Sequence, residues 1–206
     1  MARHGAGTGN MTATDEATSA NDLSDIFFWG KTTTTNETWT NKTSDPHYLF
    51  ISGINRQNSF MNNTGHDFVV VVNDGVWNAL QWEYDGTVEQ FYKNNSAGTN
   101  NTETRPASSG TLFLFSNRLQ NERLVGDMAH FVIWNDINIS ANERGGLSRG
   151  VHPFPIQHEH QAINLPLHGL DDPEPDESPA QVTGTIVATM TKADTNPPVE
   201  LLENYL

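Results

Sequence analysis

The stretch that most constrains the fold is residues 124–155, where an apolar strand leads into a short helix and a proline-rich exit. The strand reads VGDMAHFVIWND, and both of its alternating faces are largely apolar. One predicted face carries Met128, His130, Val132 and Trp134, and the other carries Ala129, Phe131 and Ile133. A strand covered on both faces belongs in the middle of a sheet, with the core on one side and a loop or partner on the other.

The segment after this strand predicts a short helix. Ser140 stands three residues before Glu143, which is the spacing of a capping box, and Gly150 stands where a helix would end in a left-handed residue. We therefore expect one helix over residues 140–149.

Short strands joined by turns account for most of the remaining chain. Asn73-Asp74-Gly75 and Asp85-Gly86 are tight-turn sequences, so the strands around them should form consecutive hairpins. The predicted strands are 25–31, 48–52, 67–73, 76–84, 87–93, 111–116 and, as an edge strand, 161–167. Residues 32–43 are predicted as an exposed hairpin tip and residues 94–110 as a polar loop. The chain has no cysteine, so packing and strand pairing must hold this fold without disulfides.

The two ends of the chain differ in composition from the middle. Residues 1–22 have few large apolar side chains and predict an N-terminal arm, and residues 23–168 form the sandwich domain. Residues 169–206 begin with an acidic, proline-rich linker, followed by a C-terminal strand and tail. The strand predicted over 182–191 needs a partner, either this sandwich or another chain.

Residues 124–155 resemble the closing segment of laminin-G-like (LamG) domains, which are concanavalin A-type jelly rolls. A second matching pattern is Trp-x-x-Leu-x-Trp-x-Tyr-Asp-Gly, followed by Tyr-x-Asn, carried here by Trp77, Leu80, Trp82, Tyr84, Asp85, Gly86, Tyr92 and Asn94. A similar closing segment occurs in structural proteins of bacteriophages and other microbes. The resemblance implies an all-β, antiparallel two-sheet jelly-roll sandwich with one short helix near 140–149 and extended terminal arms.

Charge and hydropathy exclude two classes of partner. The chain carries 11 basic and 25 acidic residues, a formal net charge of −14, whereas a nucleic-acid binder needs a basic face. No apolar run approaches the roughly 20 residues that cross a bilayer. The N-terminal sequence MARHGAGTGN has no hydrophobic signal core, so we expect no secretion through a cleaved signal.

A catalytic role is disfavoured by the motifs. Glycoside hydrolases of the laminarinase type resemble this fold, but they carry Glu-x-Asp-x-x-Glu or Glu-x-Asp-x-Glu on one central strand, because a retaining mechanism needs paired carboxylates. Glu83 and Asp85 come nearest here, yet Asp85 falls in a predicted turn and no third acid follows. We therefore expect a protein that is not an enzyme.

Exposed aromatic rings are the best candidates for sugar binding, because a Trp ring stacks on a pyranose face. Trp39 is isolated in polar sequence and is the first candidate, and Trp77 is the second. The other three, Trp29, Trp82 and Trp134, are predicted in the core.

No cofactor is expected, with calcium kept as an alternative. The LamG resemblance implies calcium ligands on loops, and the acids at predicted strand ends are Asp67, Asp74, Asp127 and Asp136. The simpler interpretation is that acids at strand ends make turns. A transition-metal site at His152, His158, His160 and His168 is a weaker hypothesis, because histidines in an exit loop are commonly surface residues.

These observations favour a structural protein of a virus particle. The main hypothesis is a bacteriophage capsid decoration protein on the virion surface, docking through its arms on the major capsid protein or another virion protein and forming a homo-oligomer. The alternative is a carbohydrate-binding module or adhesin that recognises host glycans.

Overall fold

The computed structural model of the 206-residue chain describes residues 2–7, 10–18, 23–42, 48–51, 56–61, 64–102, 104, 108–116, 123–167, 175–181, 185–186, 190–193 and 196–198. These residues form fifteen β-strands in two sheets, the helix α1 (Ala141–Ser148) and a 3₁₀ turn at His158–His160. Within these ranges no helix has the length and apolar character needed to span a membrane.

The first sheet has eight strands and carries the helix on its outer face. Its strands are β1 (Arg3–Ala6), β3 (Ser24–Thr32), β8 (Asn78–Tyr84), β9 (Val88–Lys93), β10 (Ser96–Thr102), β12 (Val125–Asn135), β13 (Gln161–Leu165) and β15 (Thr191–Lys192). They lie in the order β10-β9-β8-β3-β12-β1-β15, and β13 also pairs with β12.

The second sheet has seven strands and packs against the inner face of the first. Its strands are β2 (Met11–Thr18), β4 (Glu37–Lys42), β5 (Tyr48–Ile51), β6 (Arg56–Met61), β7 (Thr64–Val71), β11 (Ser108–Leu114) and β14 (Thr185–Ile186). The order is β14-β2-β11-β4-β5-β6-β7, and the strand ladders of both sheets are antiparallel. The predicted all-β, two-sheet sandwich with one short helix is therefore confirmed.

Two apolar clusters hold the layers together. The central core lies between the sheets and includes side chains from both, among them Phe28, Trp39, Leu80, Trp82 and Phe131. The outer cluster lies on the other face of the first sheet, beneath α1 and the chain that follows it, and includes Phe27, Trp29, Trp134, Leu147 and Ile156. Burial on both faces explains why the central strands read as nearly continuous apolar runs.

Helix α1 begins as the sequence predicts. The Ser140 side chain accepts a hydrogen bond from the Glu143 backbone N–H (3.3 Å), and the Ser140 N–H donates to Glu143 Oε2 (2.7 Å). These reciprocal bonds make the predicted capping box. Gly150 follows the helix with φ of 94°, a left-handed conformation that glycine adopts without strain.

The prediction of which β12 residues share a face is wrong beyond Ala129. Its register against β3 shifts between Ala129 and Val132, and His130 has φ of 50°, so the strand bulges there. The bulge reverses the alternation: the central core receives Met128, Phe131 and Ile133, and the outer cluster receives Ala129, Val132 and Trp134.

Two predicted loops are strands. Residues 32–43 contain β4, whose Trp39 is fully buried with its ring 5.2 Å from that of Phe28, so the prediction of an exposed tip is wrong. Residues 94–110 contain β10, which pairs with β9 through a turn in which Asn94 and Asn95 both have positive φ. A two-residue turn of this kind matches the twist of a hairpin, and asparagine tolerates the conformation.

The described terminal residues belong to the sandwich rather than to arms. At the N-terminal end, β1 pairs with β12 and β2 pairs with β11, one in each sheet. The described residues 185–186 and 190–193, here called the C-terminal strap, pair with β2 through β14 and with β1 through β15. In the linker, Asp176 Oδ1 accepts a hydrogen bond from the Asn164 N–H (2.7 Å). The predicted tail over 199–206 lies outside the described residues.

Replacing Trp39 with alanine tests its place in the core. Trp39→Ala should lower the free energy of unfolding by about 3–5 kcal/mol, because it removes a fully buried ring and leaves a cavity. Urea denaturation followed by circular dichroism measures the change. Phe154→Ala is the control, because that ring is 44% exposed and its loss should cost less than about 1 kcal/mol. Equal losses in the two variants would contradict the placement.

Candidate functional site: a polar groove on the outer face

A groove of about 360 Å³ lies on the outer face of the first sheet, beside the outer cluster. Strands β1, β3, β12 and β15 and the loop before β8 contribute to its wall, and its main side chains are His4, Lys31, Thr33, Asp127 and Thr191. The groove is therefore built from four strands that are far apart in sequence.

Strand register places the polar side chains in one row. His4 pairs with Asp127 on one side and Thr191 on the other, and Asp127 pairs with Lys31. Directly paired residues share a face of the sheet. Lys31 follows Trp29 by two residues, so the row lies on the face that carries the outer cluster.

Asp127 is the charged centre of the groove. Its side chain is only 9% exposed, its Oδ1 lies 2.7 Å from His4 Nδ1, and its Oδ2 lies 3.4 Å from Lys31 Nζ. A carboxylate offers about four lone-pair sites, so these two contacts leave it able to accept further hydrogen bonds. The arrangement fixes a buried acceptor next to a cation at the groove wall.

Backbone contacts hold the groove in shape. Thr32 Oγ1 donates to the Val125 carbonyl (2.7 Å), and Glu37 Oε2 accepts from the Val125 N–H (2.9 Å) and from the Thr34 hydroxyl. Burial raises the pKa of Glu37. A Cβ at Gly126 would lie 2.5 Å from the Lys31 carbonyl oxygen, so glycine is needed for this close approach of β12 to β3.

The two tryptophans predicted to bind sugar lie in different environments. Trp39 lies in the central core, where its 0% exposure leaves no surface for a sugar. Trp77 is half-buried and packs against the outer cluster, and Gly75, two residues earlier, lines the groove. Trp77 thus lies on the same face of the sheet as the groove, but it is not one of the residues that line the groove.

The four predicted calcium ligands are not brought together. Asp127 lines the groove, whereas Asp136 lies at the end of β12 beside a separate hollow. Asp74 pairs with Lys93 (2.5 Å), and Asp67 Oδ1 accepts from the Val69 N–H (2.8 Å). In the parts of the chain that the structure describes, no three His, Asp or Glu side chains are grouped to hold a metal ion. His168 lies outside the described residues.

A pair of acids beneath α1 has no room for a substrate. Asp25 and Glu83 pair across β3 and β8, and Arg144 lies 3.1 Å from Glu83. Burial raises the pKa of Asp25 from its ordinary value of 3.8 to about 7, although hydrogen bonds from Gln81 and the Ile139 N–H lower it. Burial also raises the pKa of Glu83. The adjoining hollow measures only about 10 Å³, which is too small for a sugar ring.

A second buried acid ties the two sheets together. Glu89 of β9 is fully buried and accepts hydrogen bonds from Ser59 Oγ (2.8 Å) and Trp82 Nε1 (2.9 Å), and it contacts His66 Nδ1. Ser59 and His66 belong to the second sheet. The cluster therefore links the two sheets through a buried acid.

Of the groove residues, only Asp127 is a predicted site residue, and it is predicted as a calcium ligand. His4 falls in the predicted N-terminal arm, and only long-range strand pairing brings it to Asp127. One signal was present in the sequence: Lys31 alternates with Phe27 and Trp29, which places a lysine at the end of an otherwise apolar face.

No protein-family model matches the chain, and no curated protein sequence matches it significantly. Several solved structures share its fold. A candidate carbohydrate-binding protein from Bacteroides ovatus is similar over 95% of this chain, with a TM-score of 0.66 and 11% identity. The chain covers 61% of the length of that protein.

Two further structures match a smaller part of the chain. A heptameric SAP-like pentraxin from Limulus polyphemus matches 68% of this chain and 75% of its own, with a TM-score of 0.52 and 11% identity. Domain 4 of an extracellular GH43 arabinanase from Geobacillus stearothermophilus, solved with arabinotriose, matches 64% of this chain and 68% of its own, with a TM-score of 0.52 and 18% identity. These likenesses support a jelly-roll-like β-sandwich and not the finer LamG or bacteriophage assignment.

The buried acid beneath α1 predicts how stability depends on pH. The pKa of Asp25 is higher in the folded chain than in the unfolded chain, so the folded chain binds more protons between pH 4 and 7. The free energy of unfolding should therefore fall as the pH rises through this window, by at most about 1.4 kcal/mol per pH unit from this group.

Asp25→Asn should flatten this slope, because the neutral amide does not titrate and Gln81 can rotate its own amide to accept from it. Urea denaturation of both proteins at pH 5, 6, 7 and 8 measures the difference. Identical slopes in the two proteins would show that Asp25 does not carry the effect.

Proposed function

We propose that this chain is a non-enzymatic carbohydrate-binding domain and that the polar groove binds the sugar. The observation that carries the proposal is the row of Lys31, Asp127 and His4, where a buried carboxylate stands between an ammonium and an imidazole in an open groove. Such a set can donate and accept hydrogen bonds at once, which sugar hydroxyls require.

The folds of similar proteins support this proposal. The Bacteroides ovatus structure is of a candidate carbohydrate-binding protein, and the arabinanase domain was solved with arabinotriose. Identities of 11% and 18% extend the likeness to the fold alone, so the groove has to be tested on this chain.

Removing His4 should weaken sugar binding. His4→Ala deletes the imidazole that contacts Asp127, and we expect about a tenfold loss of affinity, the usual effect of a hydrogen bond to a charged group. A glycan array first identifies a ligand for the wild-type chain, and isothermal titration calorimetry then compares the variants.

The matched control is His160→Ala, which removes a half-buried imidazole that lines a different hollow and should leave the affinity unchanged. A wild-type chain that binds no glycan on a broad array would rule out the proposal. An equal loss of affinity in both variants would show that the sugar does not bind in the groove.

A virion role is our second proposal. It rests on the resemblance of residues 124–155 to bacteriophage LamG-like segments and on the formal charge of −14, which suits a surface kept away from packaged nucleic acid. On this proposal the chain decorates a capsid surface and contacts the major capsid protein as a homo-oligomer. Docking through free arms loses part of its basis, because the described terminal residues pair within the sandwich.

Mass spectrometry of purified native virus particles tests the second proposal. We expect peptides of this chain at a fixed ratio to the major capsid protein after extensive washing. Particles that lack the chain, or that carry it only in trace amounts, would contradict a decoration role.

A further inference from the structure

We infer that the groove selects a neutral sugar segment with adjacent hydroxyl groups and rejects acidic polysaccharides. This inference rests on the proposed function, because it names the class of ligand for the same groove. It follows from the local charges, from the hydrogen-bonding groups of the wall and from the charge of the whole chain.

The fixed charges of the groove already satisfy one another. The Asp127 carboxylate lies within 2.7 Å of an imidazole nitrogen and 3.4 Å of the Lys31 ammonium. A ligand carboxylate or sulfate near Lys31 would have to stand beside Asp127 and would meet like-charge repulsion in a partly buried site. A ligand without charge meets no such cost.

The wall offers donors and acceptors in alternation. Lys31 only donates, Asp127 only accepts, and the Thr33 and Thr191 hydroxyls can do both. Two adjacent hydroxyls on a sugar ring can each donate one bond and accept another, so they can bridge the carboxylate and the ammonium. An acidic group offers only acceptors, which would satisfy Lys31 and leave Asp127 without a donor from the ligand.

The charge of the whole chain acts in the same direction. At a formal charge of −14, the field of the protein repels polyanions before they reach the groove. A polyanion that binds in spite of this field would do so mainly through Lys31, and that binding would weaken as salt is added. Binding of a neutral sugar should change little with salt.

The experiment compares neutral and acidic glycans on the wild-type chain and two variants. Asp127→Asn removes the acceptor charge of the groove. Asp136→Asn makes the same change in charge at an exposed position with φ of 63°, which asparagine adopts readily, so it is the matched control. Calorimetry with oligosaccharides of both classes, in 20 mM and in 500 mM NaCl, gives the affinities, and urea denaturation verifies that both variants fold.

The two kinds of ligand predict opposite effects of Asp127→Asn. We expect neutral oligosaccharides to bind the wild-type chain and Asp136→Asn equally, with less than a twofold change between the two salt concentrations, and to lose about tenfold on Asp127→Asn. For an acidic ligand we expect weaker binding to the wild-type chain than for neutral ones, and a gain on Asp127→Asn, because that change removes the like-charge repulsion. An acidic ligand that binds the wild-type chain at least as tightly as the neutral ones would overturn the neutral selectivity while leaving sugar binding intact. If neither class binds the wild-type chain, the proposed function itself fails.

Discussion

The pairing of β12 with β3 is the contact on which the rest of the structure depends. These strands form the middle of the first sheet, and β12 also pairs with β1 and β13 along its other edge. Each face of the pair is covered by an apolar cluster, so burial on both sides holds it in place without disulfides. The helix, the groove and the N-terminal strand are all positioned by this pair. A shift of its register would therefore change the core and the groove together.

The groove shows how long-range pairing makes a site from residues with no local pattern. His4, Lys31, Asp127 and Thr191 come from four strands and meet only because β1, β12, β3 and β15 lie in adjacent positions. Asp127 lies in a nearly buried position with the Lys31 ammonium and the His4 imidazole beside it. A buried charge without such partners would be costly. Solved structures of other proteins share this fold.

Local sequence pattern predicted the regular parts of the fold. It failed where packing between distant parts of the chain determines which side chains are buried. The capping box at Ser140 and the hairpin at Asp85-Gly86 depend on near neighbours, and both predictions are confirmed. The hairpin predicted around Asn73-Asp74-Gly75 is wrong, because β7 and β8 lie in different sheets. Trp39 lies among polar residues in sequence, but a neighbouring sheet covers it. The bulge at His130 has no local signal, yet it exchanges the faces of every residue after it. The predicted calcium ligands share a position at strand ends, but in the described part of the chain they are not grouped to hold a metal ion. The sequence predicts Asp127 only as a calcium ligand and gives no reason to expect a lysine and a histidine beside it.

The C-terminal strap contributes both to the sheets and to the groove. Its two short strands cover the outer sides of β1 and β2, Met190 contributes to the central core and Ala193 to the outer cluster, and Thr191 stands in the wall of the groove. Proteolytic loss of this segment would uncover unpaired backbone on both sheets and open one side of the groove in a single event. A clipped chain would thus become prone to self-association at the same moment that it lost one wall of the groove.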